Sequence, residues 1–76
     1  MSKPIKVGDI RAWKVGSGYY EPPSLTFLII KEYVTKNVID SQIYVSYEVY
    51  DISGEYTFEV AEKSILYDSE LIDNGP

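Results

Sequence analysis

Residues 42–60 read QIYVSYEVYDISGEYTFEV, and the spacing within this stretch decides the fold. Ile43, Val45, Tyr47 and Val49 occupy alternate positions, with Gln42, Tyr44, Ser46 and Glu48 between them. A period of two is the mark of a strand with one buried face. Asp51-Ile52-Ser53-Gly54 follows, with Gly54 expected to take the left-handed conformation that closes a tight turn. Residues 55–60 then alternate again, with Tyr56, Phe58 and Val60 facing inward and Glu55, Thr57 and Glu59 outward. The stretch is a β-hairpin.

Upstream, residues 25–34 form the longest predicted strand, apolar on both faces at Phe27-Leu28-Ile29-Ile30 and mixed from Lys31-Glu32 onward. A polar connection over 35–41 joins it to the hairpin. Residues 16–24, GSGYYEPPS, are a loop, because Pro22-Pro23 cannot donate to a ladder and the two glycines relax the backbone. Before that loop, a Val7-Gly8-Asp9 turn feeds a first strand over 10–15. Downstream, residues 61–66 (AEKSIL) carry good helix formers and predict one short helical turn, followed by a closing strand over 67–72. The competing reading is a single helix over 59–72, because Ala61, Ile65, Leu66 and Ile72 could share a face. Residues 1–6 and 73–76 are expected to be frayed.

The order is therefore strand, long loop, strand, medium loop, strand, tight turn, strand, helical turn, strand. Five short strands hide their edges by curling. The expectation is an all-β fold: a single domain over 1–76, built as a small five-stranded SH3-like barrel with one short helical turn before the last strand.

The opening Val7-Gly8-Asp9-Ile10-Arg11, the central hairpin, and Ser64-Ile65-Leu66 with Asp68-Ser69-Glu70-Leu71-Ile72 carry a resemblance. In this pattern the chain resembles small SH3-like barrel proteins encoded by bacteriophages. The resemblance implies a compact accessory protein that acts by binding a host or defence protein. Eukaryotic peptide-binding SH3 domains are less similar. They carry an aromatic-rich run in the first loop and paired tryptophans, where this chain has Tyr19-Tyr20 and a lone Trp13 on the first strand. Basic ribosomal and transcription-type barrels are also less similar, since this chain is acidic.

The chain has 76 residues, with no cysteine and no histidine. Disulfides, thiolate chemistry and the usual neutral-pH general base are thereby excluded. Seven basic residues face twelve acidic ones, for a net charge of −5. The asymmetry is sharper than the sum: residues 39–76 hold a single basic residue, Lys63, against nine acidic ones. Such a surface repels polyanions and steers basic proteins. A leader is not evident near Met1, and the longest apolar run has four residues where a membrane span needs about 20. A cytoplasmic protein without membrane attachment is expected.

Two groups of side chains are candidates for partner binding. The first is aromatic: Trp13, Tyr19 and Tyr20 with Pro22 and Pro23, joined by Tyr67 if the last strand lies beside the first loop. Rigid rings with polar edges anchor interfaces at low entropic cost. Alternatively, Trp13 caps the core and the tyrosines only hold the loop down. The second is the outward face of the hairpin, with Tyr44, Ser46 and Glu48 beside Glu55, Thr57 and Glu59. It suits a basic partner or is simply a solvated sheet face. Asp68 and Glu70 could share a face of the last strand near Asp73, but the spacing lacks the glycine and distal Glu of a calcium loop. No metal or other cofactor is expected, and neither is catalysis. The favoured function is non-enzymatic protein binding. The alternatives are a nucleic-acid-binding barrel using Lys6, Arg11, Lys14, Trp13 and Tyr20, and a self-associating subunit driven by exposed residues such as Val38 and Ile39.

Overall fold

The computed structural model describes residues 5–73. Five strands form one antiparallel sheet in the order β4-β3-β2-β1-β5: β1 is Ile10–Trp13, β2 Thr26–Lys36, β3 Ile43–Asp51, β4 Tyr56–Ala61 and β5 Ser69–Asp73. One helix, α1 (Glu62–Asp68), connects the outer strands β4 and β5 and packs against both. Five antiparallel strands and a short helix are as the sequence predicts. Closure is not: no ladder joins β4 to β5 among the described residues, so the sheet is open, with α1 spanning the gap between its edges. None of the helices among the described residues is long and apolar enough to cross a membrane.

The hairpin register pairs Tyr47 with Val60, Val49 with Phe58 and Asp51 with Tyr56, while Glu48 faces Glu59 on the other side of the sheet. On the concave face, Ile5, Trp13, Phe27, Ile29, Tyr47, Val49, Val60 and Ile65 make up the buried core, and Tyr20, Val45 and Phe58 pack against it. Ile5, expected in a frayed end, is thus fully buried. Residues 1–4 and 74–76 lie outside the described residues. On the convex face, Ile10, Leu28, Tyr50 and Thr57 form one in-register row across four strands. Cross-strand neighbours shield one another there, and the three larger side chains are half-buried.

Several local expectations need correction. β1 ends at Trp13, and the Lys14 amide donates to Asp68 O at 2.7 Å, the next position in the β1–β5 register. Its concave side carries Arg11 and Trp13, with Ile10 and Ala12 on the convex side. The helix runs two turns to Asp68, so Tyr67 and Asp68 are helical, and the single helix over 59–72 does not form. Asp68 and Glu70 therefore sit on different elements. In the β3–β4 turn the left-handed residue is Glu55 (φ 57°), and Gly54 has no positive φ. Gly54 is close to a neighbouring side chain: a Cβ there would run into the ring of Tyr56 unless that ring moves aside. Gly8 (φ 100°) does adopt the left-handed conformation, in the turn where Asp9 N bonds Lys6 O and Lys6 N bonds the Asp9 carboxylate.

Candidate functional site

β1 and β3 both neighbour β2 and so run in the same direction. The connections that leave them, residues 14–25 and 52–55, therefore emerge at one end of the sheet. The first connection folds back on itself through successive turns: Ser17 N to Lys14 O, Tyr20 N to Ser17 O and Ser24 N to Glu21 O, at 3.1, 3.2 and 2.7 Å. Gly16, at φ 94°, supplies the left-handed residue of the first turn. Pro22-Pro23 has a cis peptide bond, and Glu21 bridges to Ser24 around it. The result is a loop that stands beside the end of the hairpin rather than extending into solvent.

Between loop and hairpin lies an open groove of about 270 Å³, lined by Trp13, Gly18, Tyr19, Glu21, Ser24, Asp51, Tyr56 and Phe58. Trp13 is the floor. Its ring lies between Tyr19 (centroids 4.4 Å apart, 16° between planes) and Phe27 (4.3 Å, 26°), and only 5% of the residue is exposed. Tyr19 is 39% exposed and forms one wall, while Tyr56 and Phe58, 5.7 Å apart, form the other. The two rings of the second wall stand two residues apart on β4 and so share a face. The Tyr56 ring lies across Gly54, whose amide donates to Asp51 Oδ1 at 2.7 Å. Asp51 is itself buried, and Glu21 lies at the exposed rim, so two carboxylates accompany the rings.

The residues predicted as site residues are placed apart. Trp13 and Tyr19 meet in the groove. Tyr20 packs against the core next to them but does not line the groove. Tyr67 is 74% exposed on α1 and is not part of the groove either. Tyr44 is at the far end of β3, where its hydroxyl donates to Asp40 at 2.7 Å. That bond raises the phenol's pKa and, with the Gln42 amide as the larger influence, lowers that of Asp40. Glu48 and Glu59 face each other on the convex side; Lys31 is opposite Glu48, and Ser46 donates to Glu59. Glu55 lies in the turn outside the β3–β4 ladder, with its amide donating to Asp51 O at 2.9 Å.

Of the basic set, Arg11 is buried beneath the last strand. Its Nε donates to Ser69 Oγ at 2.9 Å, and its Nη2 donates to the carbonyls of Ser69 and Ile65 at 3.3 and 3.5 Å. Burial pushes its pKa down, and the nearby Asp9 carboxylate opposes that shift. Tyr56 and Phe58, read from the sequence as core, are the walls that sequence reasoning missed. The signal for them was topological: strands one and three end at the same side of the sheet, so rings beside the third strand's turn must face the first loop. Among the described residues, no three acidic side chains gather into a ligand set for a metal ion. Compared with models of known protein families, with curated proteins and with solved structures, the chain matches none.

Proposed function

We propose that this protein is a non-enzymatic binding module that takes a basic side chain of a partner protein into the groove between Tyr19 and the Tyr56–Phe58 pair. The observation that carries this reading is the groove lining, which sets the rings of Tyr19, Tyr56 and Phe58 beside Asp51 and Glu21. A lysine or arginine attracts aromatic faces through the ring quadrupole and carboxylates through charge, and both attractions strengthen where water is excluded. At about 270 Å³ the groove falls below the range that encloses whole ligands, roughly 300–1,000 Å³, and better fits a side chain with its neighbours in an extended segment. The net charge of −5 steers such a partner toward the protein before contact. The strand connectivity and the Val7-Gly8-Asp9 opening support an SH3-like roll of the phage-encoded kind. The role is then that of an accessory protein that engages a host or defence protein in the host cytoplasm.

The test is affinity capture from a bacterial lysate by the wild-type chain and by a Tyr19→Ala/Tyr56→Ala variant, each under low and moderate salt. Wild-type protein should retain a specific basic protein, and the variant should retain about tenfold less or worse. Equal retention by the two, or retention of nucleic acid alone, overturns the proposal.

A further inference from the structure

β4 is an outer strand of the sheet, and its ladder with β3 uses one of its two sides. Three bonds fix which of its backbone groups face the other side. Asn37 N donates to Gln42 O, Ile52 N to Thr26 O and Glu55 N to Asp51 O, at 2.8, 3.3 and 2.9 Å. The first two direct Gln42 and Ile52 toward β2, and the third directs Asp51 toward β4. Hydrogen-bonded and non-hydrogen-bonded pairs alternate along an antiparallel ladder. Tyr47, Val49 and Asp51 therefore bond to β4 through Val60, Phe58 and Tyr56. Thr57 and Glu59, which lie between, direct their amides and carbonyls outward, and among the described residues none pairs with them. Both residues are exposed. Sheet edges are commonly blunted by a lysine, a proline or a bulge. β4 has none of these: its sequence is YTFEVA, and its register with β3 runs without a shift. Acidic residues mark it instead, Glu55 before it, Glu59 within it and Glu62 after it, and no basic residue occurs between Lys36 and Lys63.

We propose that an extended basic segment of the partner protein adds to this edge as a further strand, hydrogen-bonded to the backbones of Thr57 and Glu59. The inference rests on the reading that the partner is basic, and it specifies how the partner's chain is held. Charge selects the occupant. A second copy paired here through its own β4 would bring Glu55, Glu59 and Glu62 against the same carboxylates with no cation to relieve them. A basic segment is complementary along the whole edge. Geometry then fixes a feature of that segment, because the two faces of β4 differ. Tyr56 and Phe58 line the groove, while Thr57 and Glu59 lie on the convex face. A residue opposite Phe58 presents its side chain at the groove wall. The next residue, opposite Glu59, presents its side chain to that carboxylate, with cross-strand Cβ atoms about 4.5–5.5 Å apart. The segment therefore carries two consecutive basic residues, one for each face. In such additions the main-chain bonds give affinity and the alternate side chains give specificity.

The probe is a synthetic peptide of about eight residues, alternating valine and threonine around a central lysine–arginine pair. Two further forms keep every side chain and charge but carry backbone N-methyl groups, one form on the odd residues and the other on the even. Only one set of amides can face β4. One methylated form should therefore bind the native chain at least about tenfold more weakly than the parent peptide, and the other should match the parent. In the free protein the Thr57 and Glu59 amides should exchange rapidly with deuterated solvent, and bound peptide should slow them at least about tenfold. Phe58, already bonded to Val49, should change little. Equal affinity of all three peptides, equal loss in both methylated forms, or no binding of the parent at about 1 mM overturns the proposal. The groove reading fails separately, if Tyr19→Ala binds the parent peptide as tightly as the native chain does.

Discussion

The ring of Tyr19 lies flat on Trp13, 4.4 Å between centroids, and so the same loop residue both lids the core and walls the groove. The two members of the stack nonetheless have different duties. Trp13 is buried between two rings, while Tyr19 keeps one face open. Trp13→Ala should cost about 3–5 kcal/mol, enough to unfold much of a domain this small. Tyr19→Ala should cost about 0.5–1.5 kcal/mol, the range for one aromatic pair, while abolishing capture of the partner. Urea denaturation of both variants checks the split. Equal losses would make Tyr19 a core residue only.

Arg11 and Ser69 lie 58 residues apart, and their hydrogen bond ties β1 to the end of α1. Ser69 Oγ accepts from Arg11 Nε and donates to Ile65 O, so its hydroxyl satisfies the buried guanidinium and the helix terminus together. Ser69→Ala leaves Arg11 short of one acceptor in a buried setting, at a cost of about 1–3 kcal/mol. Arg11→Ala should cost more, because it also strips the carbonyls of Ile65 and Ser69 of a donor. Thermal melts of the two variants, with Ser69→Thr as the version that keeps the hydroxyl, test this ordering.

What was legible in the sequence followed from periodicity, and what was not followed from pairings between distant residues. Tyr47, Val49 and Val60 are buried where the alternation puts them. Ile43 and Tyr56 obey the same alternation yet are exposed, at opposite ends of the hairpin. Arg11 reads as solvent-facing until Ser69 is known to lie beside it. The helix gained a turn because Tyr67 and Asp68, both compatible with a strand, continue from Ile65, whose buried side chain fixes the helix face. In the groove, Tyr19 was visible as a loop aromatic, whereas Tyr56 and Phe58 were hidden by reading every inward residue as core.

Gly54 sits beneath the ring of Tyr56, and its backbone has no positive φ. A Gly54→Ala substitution therefore meets a side chain rather than backbone strain. The half-exposed Tyr56 ring can swing outward, and loss of unfolded-chain freedom offsets part of the cost by about 0.4–1 kcal/mol. Stability should stay within about 1 kcal/mol of wild type. Partner capture should fall, since one wall of the groove has moved. Isothermal denaturation combined with the capture assay reads both. A stable variant with full binding would remove Tyr56 from the site.

The hydroxyl of Tyr47 is buried and donates to the Glu32 carboxylate at 3.0 Å, with the Glu62 carboxylate 3.4 Å away. Burial first, then the bond and negative charge of Glu32, then Glu62, hold this phenol well above the ordinary tyrosine range. The folded state thus keeps the proton at pH values where the unfolded chain, titrating near 10, has lost it. The stabilisation is complete below pH ~10 and is lost as pH rises above that, with a slope approaching about 1.4 kcal/mol per pH unit for this one group. Denaturant midpoints should accordingly be flat from neutral pH to about 9 and fall steeply beyond. Tyr47→Phe should remove much of that alkaline slope while costing about 1 kcal/mol at neutral pH through the lost hydrogen bond. Tyr44, whose pKa moves the same way through Asp40, is the exposed control: Tyr44→Phe should leave most of the slope in place. An alkaline slope that survives Tyr47→Phe unchanged would place the titration elsewhere in the chain.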